Sequence, residues 1–146
     1  MRVVLQRVKE AKVFVESELK GQIASGYLLL VGIAENDDEI VVEKMADKIK
    51  KLRIFEDEAG KINVNILTAG GEILSVSQFT LLGNTKKGNR PGFDNAAVPE
   101  RAKYLWQSFN NMLKSEDIRV AEGVFGAKME VSLVNDGPVT FVLDSN

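Results

Sequence analysis

Ser77, Gln78 and Thr80 place two hydroxyls and a carboxamide within four positions of a largely apolar run, residues 74–82. Such groups can hold a water, donate to a carbonyl or, where a base removes the proton, attack one. Strict alternation puts Ser75, Ser77 and Phe79 on one face of a strand and Val76, Gln78 and Thr80 on the other, so neither face is cleanly apolar. A buried hydroxyl or amide without a partner costs about 1–3 kcal/mol. These groups therefore require partners, supplied by the protein or by a ligand. A polar strand end that runs into a glycine-rich loop is a natural place for a pocket.

Two further stretches have chemical character. Residues 83–96 form a glycine- and asparagine-rich loop carrying Lys86, Lys87 and Arg90. It reads either as a solvated connection or as an arm that contacts phosphates. Residues 135–138 read Asn-Asp-Gly-Pro, which is hairpin-turn chemistry. Pro138 follows the turn glycine directly and cannot donate to a ladder, so it belongs at an edge or a special bend. Either isomer of the Gly137-Pro138 bond is open to the sequence.

Two absences narrow the chemistry. The chain has no Cys, which excludes disulfides, thiolate catalysis and thiolate metal sites. It has no His, which excludes a Ser-His-Asp triad and a histidine base or metal ligand. An enzyme of this composition works with carboxylates, hydroxyls, backbone groups, lysine or its substrate's own groups, and the reading calls for no metal and no cofactor. A net charge of −2 does not suit a surface coated for duplex DNA, so basic contacts must be local.

The elements that position these residues follow from periodicity. Residues 1–8 read as a strand, Lys9-Glu10 as a short connection and residues 11–16 as the second arm of a hairpin. A weaker segment surrounds Ile23, and residues 27–33 form a continuous apolar run suited to a central strand. Asn36 or Asp37 can cap a helix with Val41, Val42, Met45, Ala46, Ile49 and Leu52 at helical spacing. Residues 54–55 begin another strand, Ile62, Val64 and Ile66 alternate as a half-exposed strand, and residues 69–71 turn into the central stretch. Pro99 opens a second helix with an apolar stripe including Leu105, Trp106 and Phe109, ended by Glu116-Asp117. Residues 120–125 are poorly patterned, and residues 129–134 and 139–143 read as the two arms of a last hairpin. The order predicts one α/β domain over residues 1–146: mixed, mostly antiparallel, barrel-like β-sheet with a layer of two main helices. No apolar run approaches the ~20 residues of a membrane span, and no secretory leader is visible, so a cytoplasmic location without membrane association is expected.

Ser77-Gln78-Phe79-Thr80-Leu81 and Asn135-Asp136-Gly137-Pro138-Val139-Thr140 together resemble the two signature motifs of the D-aminoacyl-tRNA deacylase family. The opening residues 1–8, Arg53-Ile54-Phe55, Gly70-Gly71 and the Arg90-Pro91 loop resemble the family in the same order. The resemblance spans essentially the whole chain. It implies a homodimeric hydrolase that cleaves the ester between a D-amino acid, or glycine mischarged on tRNA(Ala), and the terminal ribose of tRNA. By the same resemblance Thr80, Ser77 and Gln78 are the catalytic-site residues, and Phe79, Gly137, Pro138 and Arg7 contact substrate or orient the groups that do. Gly137-Pro138 is implied to be a cis pair that reaches into the partner subunit's site. Lys86, Lys87 and Arg90 are the candidate tRNA contacts, and the acceptor end of aminoacyl-tRNA is the expected partner.

The chemistry implied is consistent with this composition. An aminoacyl ester is already activated, and each tenfold of rate needs only about 1.4 kcal/mol. One or two backbone N–H donors near Phe79 and Thr80 are enough to stabilise an oxyanion. A rigid main-chain wedge leaves no room for an L side chain, while glycine has none to exclude. Thr80 is either the nucleophile or a positioning group beside a water assisted by the ribose 2′-hydroxyl. The sequence offers no strong base beside Thr80, which favours the water. Two readings of other classes compete: a non-catalytic RNA-binding module using the same basic loop, and an interaction protein in which Pro138 merely shapes an edge strand.

Overall fold

A computed structural model describes residues 1–114 and 117–145. It begins with β1 (Arg2–Val15), β2 (Glu18–Ile23) and β3 (Gly26–Gly32), continues through α1 (Glu39–Lys51), β4 (Phe55–Glu56), β5 (Ile62–Val64) and the short α2 (Ile66–Ala69), and reaches β6 (Glu72–Ser77). A 3-10 turn, Phe79–Leu82, follows; then come α3 (Pro99–Leu113), β7 (Val120–Glu122) and β8 (Glu130–Asp144). The main sheet runs β2-β1-β3-β6-β7, with β8 on the other edge of β1, and β4 pairs with β5 separately. Pairing is antiparallel around β1 and parallel between β3 and β6 and between β6 and β7.

The sheet curls until β2 meets the far side. A Cβ on Gly21 would lie 3.0 Å from the Glu122 carbonyl, and Arg119 donates to the Gln22 carbonyl at 3.0 Å across the same seam. Inside the curl Val8, Ala11, Val13, Ile23, Leu28, Leu74 and Val76 form one core. Outside it Val3, Leu5, Tyr27, Leu29 and Ile73 pack under α1 and α3 in a second, larger one. Each such large aliphatic side chain contributes about 1.5–3 kcal/mol by leaving water. Helix α1 turns Val42, Met45, Ala46 and Ile49 inward, and α3 turns Leu105, Trp106, Phe109 and Leu113 inward.

The barrel-like mixed sheet under a helical layer agrees with the expected fold, and several local expectations are corrected. β1 does not break at Lys9-Glu10. It runs on, and a register shift between Val8 and Glu10 moves its inward side from even to odd positions. The turn comes at Glu16 and Ser17, both at positive φ, and β2 is the true second arm. Asp38, not Asn36 or Asp37, caps α1 by accepting from the Val41 N–H at 2.9 Å. Asp37 is buried and accepts from the Ala34 N–H at 2.5 Å and the Met1 ammonium at 2.6 Å. Ile66 begins α2 instead of extending β5, because the Asn65 side chain accepts from the Thr68 N–H and caps a turn there. Of the predicted stop at Glu116-Asp117, Glu116 lies outside the described residues; α3 ends at Leu113. The poorly patterned 120–125 stretch contains β7.

The largest correction concerns residues 135–138. They do not turn a hairpin: β8 passes straight through them and stays paired with β1 on both sides.

Candidate active site

β6 and β3 run parallel, and the last rung between them is the Gln78 N–H donating to the Val31 carbonyl at 2.7 Å. Gln78 (φ −146°, ψ 78°) then leaves strand geometry, so the expected strand to Leu82 stops at Ser77 and a 3-10 turn replaces it. The Leu81 N–H returns to the Gln78 carbonyl at 3.2 Å and the Gly83 N–H to the Thr80 carbonyl at 3.0 Å. The N–H groups of Phe79 and Thr80, first in the turn, have no acceptor among the described residues. The carboxyl ends of parallel strands are where open α/β sheets most often bind ligands.

The same turn arranges the polar side chains. Gln78 Nε2 donates to Thr80 Oγ1 at 2.5 Å. The Thr80 hydroxyl oxygen is thus engaged as an acceptor while its proton stays available to donate. Phe79 points outward, 57% exposed, and meets Phe93 edge-on with ring centroids 5.0 Å apart. That contact ties the 83–96 loop to the turn.

Ser77, Gln78, Phe79 and Thr80 all line one cavity of about 620 Å³. Its remaining wall is mainly apolar and includes Phe93, Ala102, Trp106, Phe125 and Met129. Trp106 is core as well as wall: its Nε1 donates to the fully buried Ser75 hydroxyl at 3.0 Å. This bond answers the partner requirement of the one buried serine in the motif strand.

Arg7 organises a second site at the opposite edge of the sheet. Its register partners show that Gln6 faces Thr140 and Val8 faces Asn135, so Arg7 alone stands opposite residues 136–139. The side chain is only 4% exposed. Its Nη1 donates to the Ile54 carbonyl at 2.8 Å and its Nε to the Asp136 carbonyl at 3.0 Å, with the Glu56 carboxylate 3.5 Å from Nη2. Gly137-Pro138 is cis, and both residues are exposed at the tip of this bulge. Tyr27, the β3 partner of Arg7, stacks on Phe55 at 5.2 Å. Burial pushes its phenol pKa up, and the Arg7 charge only partly opposes that.

The structure therefore gathers Ser77, Gln78, Phe79 and Thr80 in one place and Arg7, Gly137 and Pro138 in another. Within one chain they do not meet. β8 and β6 are separated by β1 and β3, three strand spacings or roughly 14 Å along the sheet, and neither Gly137 nor Pro138 lines the cavity. Lys86, Lys87 and Arg90 are exposed on a loop closed by paired bonds between Asn84 and Gly92 at 2.8 and 2.9 Å. Sequence reasoning missed Phe93, Phe125 and Met129 as walls and Asn135 and Ile54 as supports. Asn135 carried a signal in its place in the Asn-Asp-Gly-Pro stretch, and Ile54 in the Arg53-Ile54-Phe55 stretch.

A family model described as D-Tyr-tRNA(Tyr) deacylase matches residues 4–144. A "D-aminoacyl-tRNA deacylase" of Lactobacillus gasseri is 57% identical over 144 residues, covering 99% of each chain. One of Anoxybacillus flavithermus is 54% identical over 145 residues, again covering 99% of each. A solved structure titled "c-Myc DNA Unwinding Element Binding Protein" superimposes with a TM-score of 0.93 at 41% identity, covering 100% of this chain and 99% of that one. Another, titled as a probable eukaryotic D-amino acid tRNA deacylase, shares the fold at a TM-score of 0.82 and 16% identity, with 97% of each covered.

Proposed function

The chain belongs to the D-Tyr-tRNA(Tyr) deacylase family, and from that premise we propose that it hydrolyses the ester of D-aminoacyl-tRNA, releasing the free D-amino acid and tRNA. The observation that carries this reading is the coincidence of two things. Relatives matched over 99% of each chain are named for that activity, and the motif strand ends beside a cavity with two backbone N–H groups unpaired among the described residues.

The ester carbonyl lies over the Phe79–Leu82 turn, where the free N–H groups of Phe79 and Thr80 receive the developing oxyanion. Water adds to the carbonyl carbon, the bond to the ribose 3′-oxygen breaks, and the proton from the water ends on that oxygen by way of the neighbouring 2′-hydroxyl. Thr80 positions the water or the 2′-hydroxyl. Its oxygen already accepts from Gln78 at 2.5 Å, which draws electron density away from a would-be nucleophile. Ser77 supplies a second hydroxyl at the cavity rim. The apolar depth toward Trp106, Phe125 and Met129 suits a flat base or an apolar side chain. Lys86, Lys87 and Arg90 reach the tRNA backbone from the loop that Phe93 ties to the site.

The protein works as a homodimer. The outer edge of β8 has no neighbouring strand among the described residues, and β8 carries the exposed Val134, Phe141 and Val142. The Gly137-Pro138 tip projects away from its own chain's cavity and enters the partner's, where it excludes an L side chain and admits glycine, including glycine mischarged on tRNA(Ala). Its place is the cytoplasm, where aminoacyl-tRNA is found; among the described residues no helix is long and apolar enough to cross a membrane.

The test is release of amino acid from matched D- and L-tyrosyl-tRNA. Fast D cleavage with L spared supports the whole reading; equal cleavage keeps the hydrolase and sinks chiral exclusion. A second reading, nucleic-acid binding without hydrolysis, draws on the name of the 41% identical solved relative. It wins if RNA binds and neither ester is cleaved.

A further inference from the structure

Asn135 stands where β8 leaves its register with β1, and its side chain replaces the pairing that the strand gives up. Oδ1 accepts from the Val139 N–H at 2.7 Å, while Nδ2 donates to the Val139 carbonyl at 3.2 Å and to Thr140 Oγ1 at 3.0 Å. The carboxamide thus treats Val139 as a neighbouring strand would, using one donor and one acceptor. It closes the neck of the four-residue bulge.

We propose that Asn135 is a positioning residue for chiral selection, holding the Gly137-Pro138 tip at a fixed place on the protein. This rests on the reading that the tip meets the substrate. Two clamps define the bulge. Arg7 fixes its first residue through the Asp136 carbonyl at 3.0 Å and is itself tethered to Ile54 at 2.8 Å. Asn135 fixes its last residue, Val139. Only Gly137 and Pro138 lie between, and both are exposed. Gly137 has φ 142°, and a Cβ there would lie 2.7 Å from Val139 Cγ2 and 3.3 Å from Arg7 Nη2. The tip therefore abuts the clamped Val139 and the Arg7 side chain. A wedge that distinguishes a hydrogen from a side chain must be located to a fraction of an ångström, and a loop clamped at one end only is not. No other side chain of this length offers both functions: Asp keeps the acceptor and loses the donors, and Ser is too short.

The experiment compares hydrolysis of D- and L-tyrosyl-tRNA by the wild-type protein, Asn135→Ala and Asn135→Asp. The readout is the ratio of the two rates, which is unaffected by the fraction of protein folded. The expected D/L ratio falls about tenfold in Asn135→Ala and by less in Asn135→Asp, which keeps the bond from the Val139 N–H. A selective wild type with an Asn135→Ala ratio unchanged within about twofold overturns this inference and leaves the deacylase reading intact. If Asn135→Ala does not fold, the isosteric Asn135→Asp decides, and an unchanged ratio there overturns it. A wild type that cleaves both esters equally removes the underlying reading and this inference with it.

Discussion

Trp106 on α3 and Ser75 on β6 are joined by a buried 3.0 Å hydrogen bond, the indole N–H donating to the hydroxyl beneath the candidate active site. Each is the other's partner. Ser75→Ala leaves the indole N–H buried and unpaired, and Trp106→Phe does the same to the hydroxyl. Each single change is expected to cost about 1–3 kcal/mol beyond any packing loss. The double variant should be more stable than the sum of the two predicts, by about 1 kcal/mol. Urea unfolding of the four proteins measures the coupling, and strict additivity would show the bond to be energetically silent.

Thr80→Val removes the hydroxyl that Gln78 engages. Under the positioning role, single-turnover deacylation slows by about 10–10³-fold but remains measurable. Complete loss of turnover with normal tRNA binding would instead establish a covalent route through Thr80.

The proposed tRNA contacts of the loop cations predict an effect on binding and not on chemistry. Replacing Lys86, Lys87 and Arg90 together with Ala should raise KM and leave kcat nearly unchanged. The slope of log affinity against log salt should become shallower by roughly 2 if all three meet single-stranded phosphates. An unaltered salt slope would assign the tRNA contacts elsewhere.

Tyr27 carries a buried hydroxyl with no partner among the described residues. Tyr27→Phe removes that group and is expected to stabilise the fold by up to about 1–3 kcal/mol. The phenol's raised pKa means the folded state keeps its proton when the unfolded chain begins to lose it. Wild-type stability should therefore fall as pH rises past about 10, and Tyr27→Phe should lack that part of the alkaline loss. Thermal unfolding at neutral and alkaline pH tests both effects.

Glu72 lies at the seam of the sheet, where the Ala24 N–H donates to it and Arg119 pairs with it. The Ala24 bond, followed by Arg119, holds its pKa below the usual glutamate value. A lowered folded-state pKa gives stability that is present at neutral pH and disappears as the pH falls through that pKa. Glu72→Gln should cost about 1 kcal/mol or less at neutral pH, and its deficit relative to wild type should close in acid. A deficit that persists at pH 2 would mean that the charge is irrelevant.

Much of this fold was legible because its periods were clean. Val42, Met45, Ala46 and Ile49 mark α1 and Leu105, Phe109 and Leu113 mark α3, and both helices sit where the stripes place them. The two long strands were misread for one physical reason. Each contains a bulge, and a bulge changes which parity of residues faces the core. Val3 and Leu5 belong to one core and Val8, Ala11 and Val13 to the other, so β1 looks in sequence like two arms of a hairpin. In β8 the Asn-Asp-Gly-Pro stretch has every local feature of a turn, and only the distant Arg7 shows why the chain does not reverse. The motif residues Ser77 to Thr80 were legible as a polar interruption. Backbone N–H donors near Phe79 and Thr80 were expected from the implied chemistry, but that a 3-10 turn leaves them free was not legible, because it depends on the strand ending at Ser77.

β1 and β8 are paired from Arg2 with Asp144 to Phe14 with Glu130, so the residues of β1 have neighbours that are made more than a hundred residues later. At about 5–20 residues per second, a ribosome takes on the order of ten seconds to span that interval. Throughout it, one flank of β1 has no strand to bond to, a long row of open amide and carbonyl groups. β2, β3 and the helices can assemble in the meantime, but Arg7 cannot find Asp136 until β8 has emerged. The pairing that must wait for β8 is therefore also the one that builds the Gly137-Pro138 tip. A nascent chain stalled before residue 130 has the motif strand but lacks the bulge.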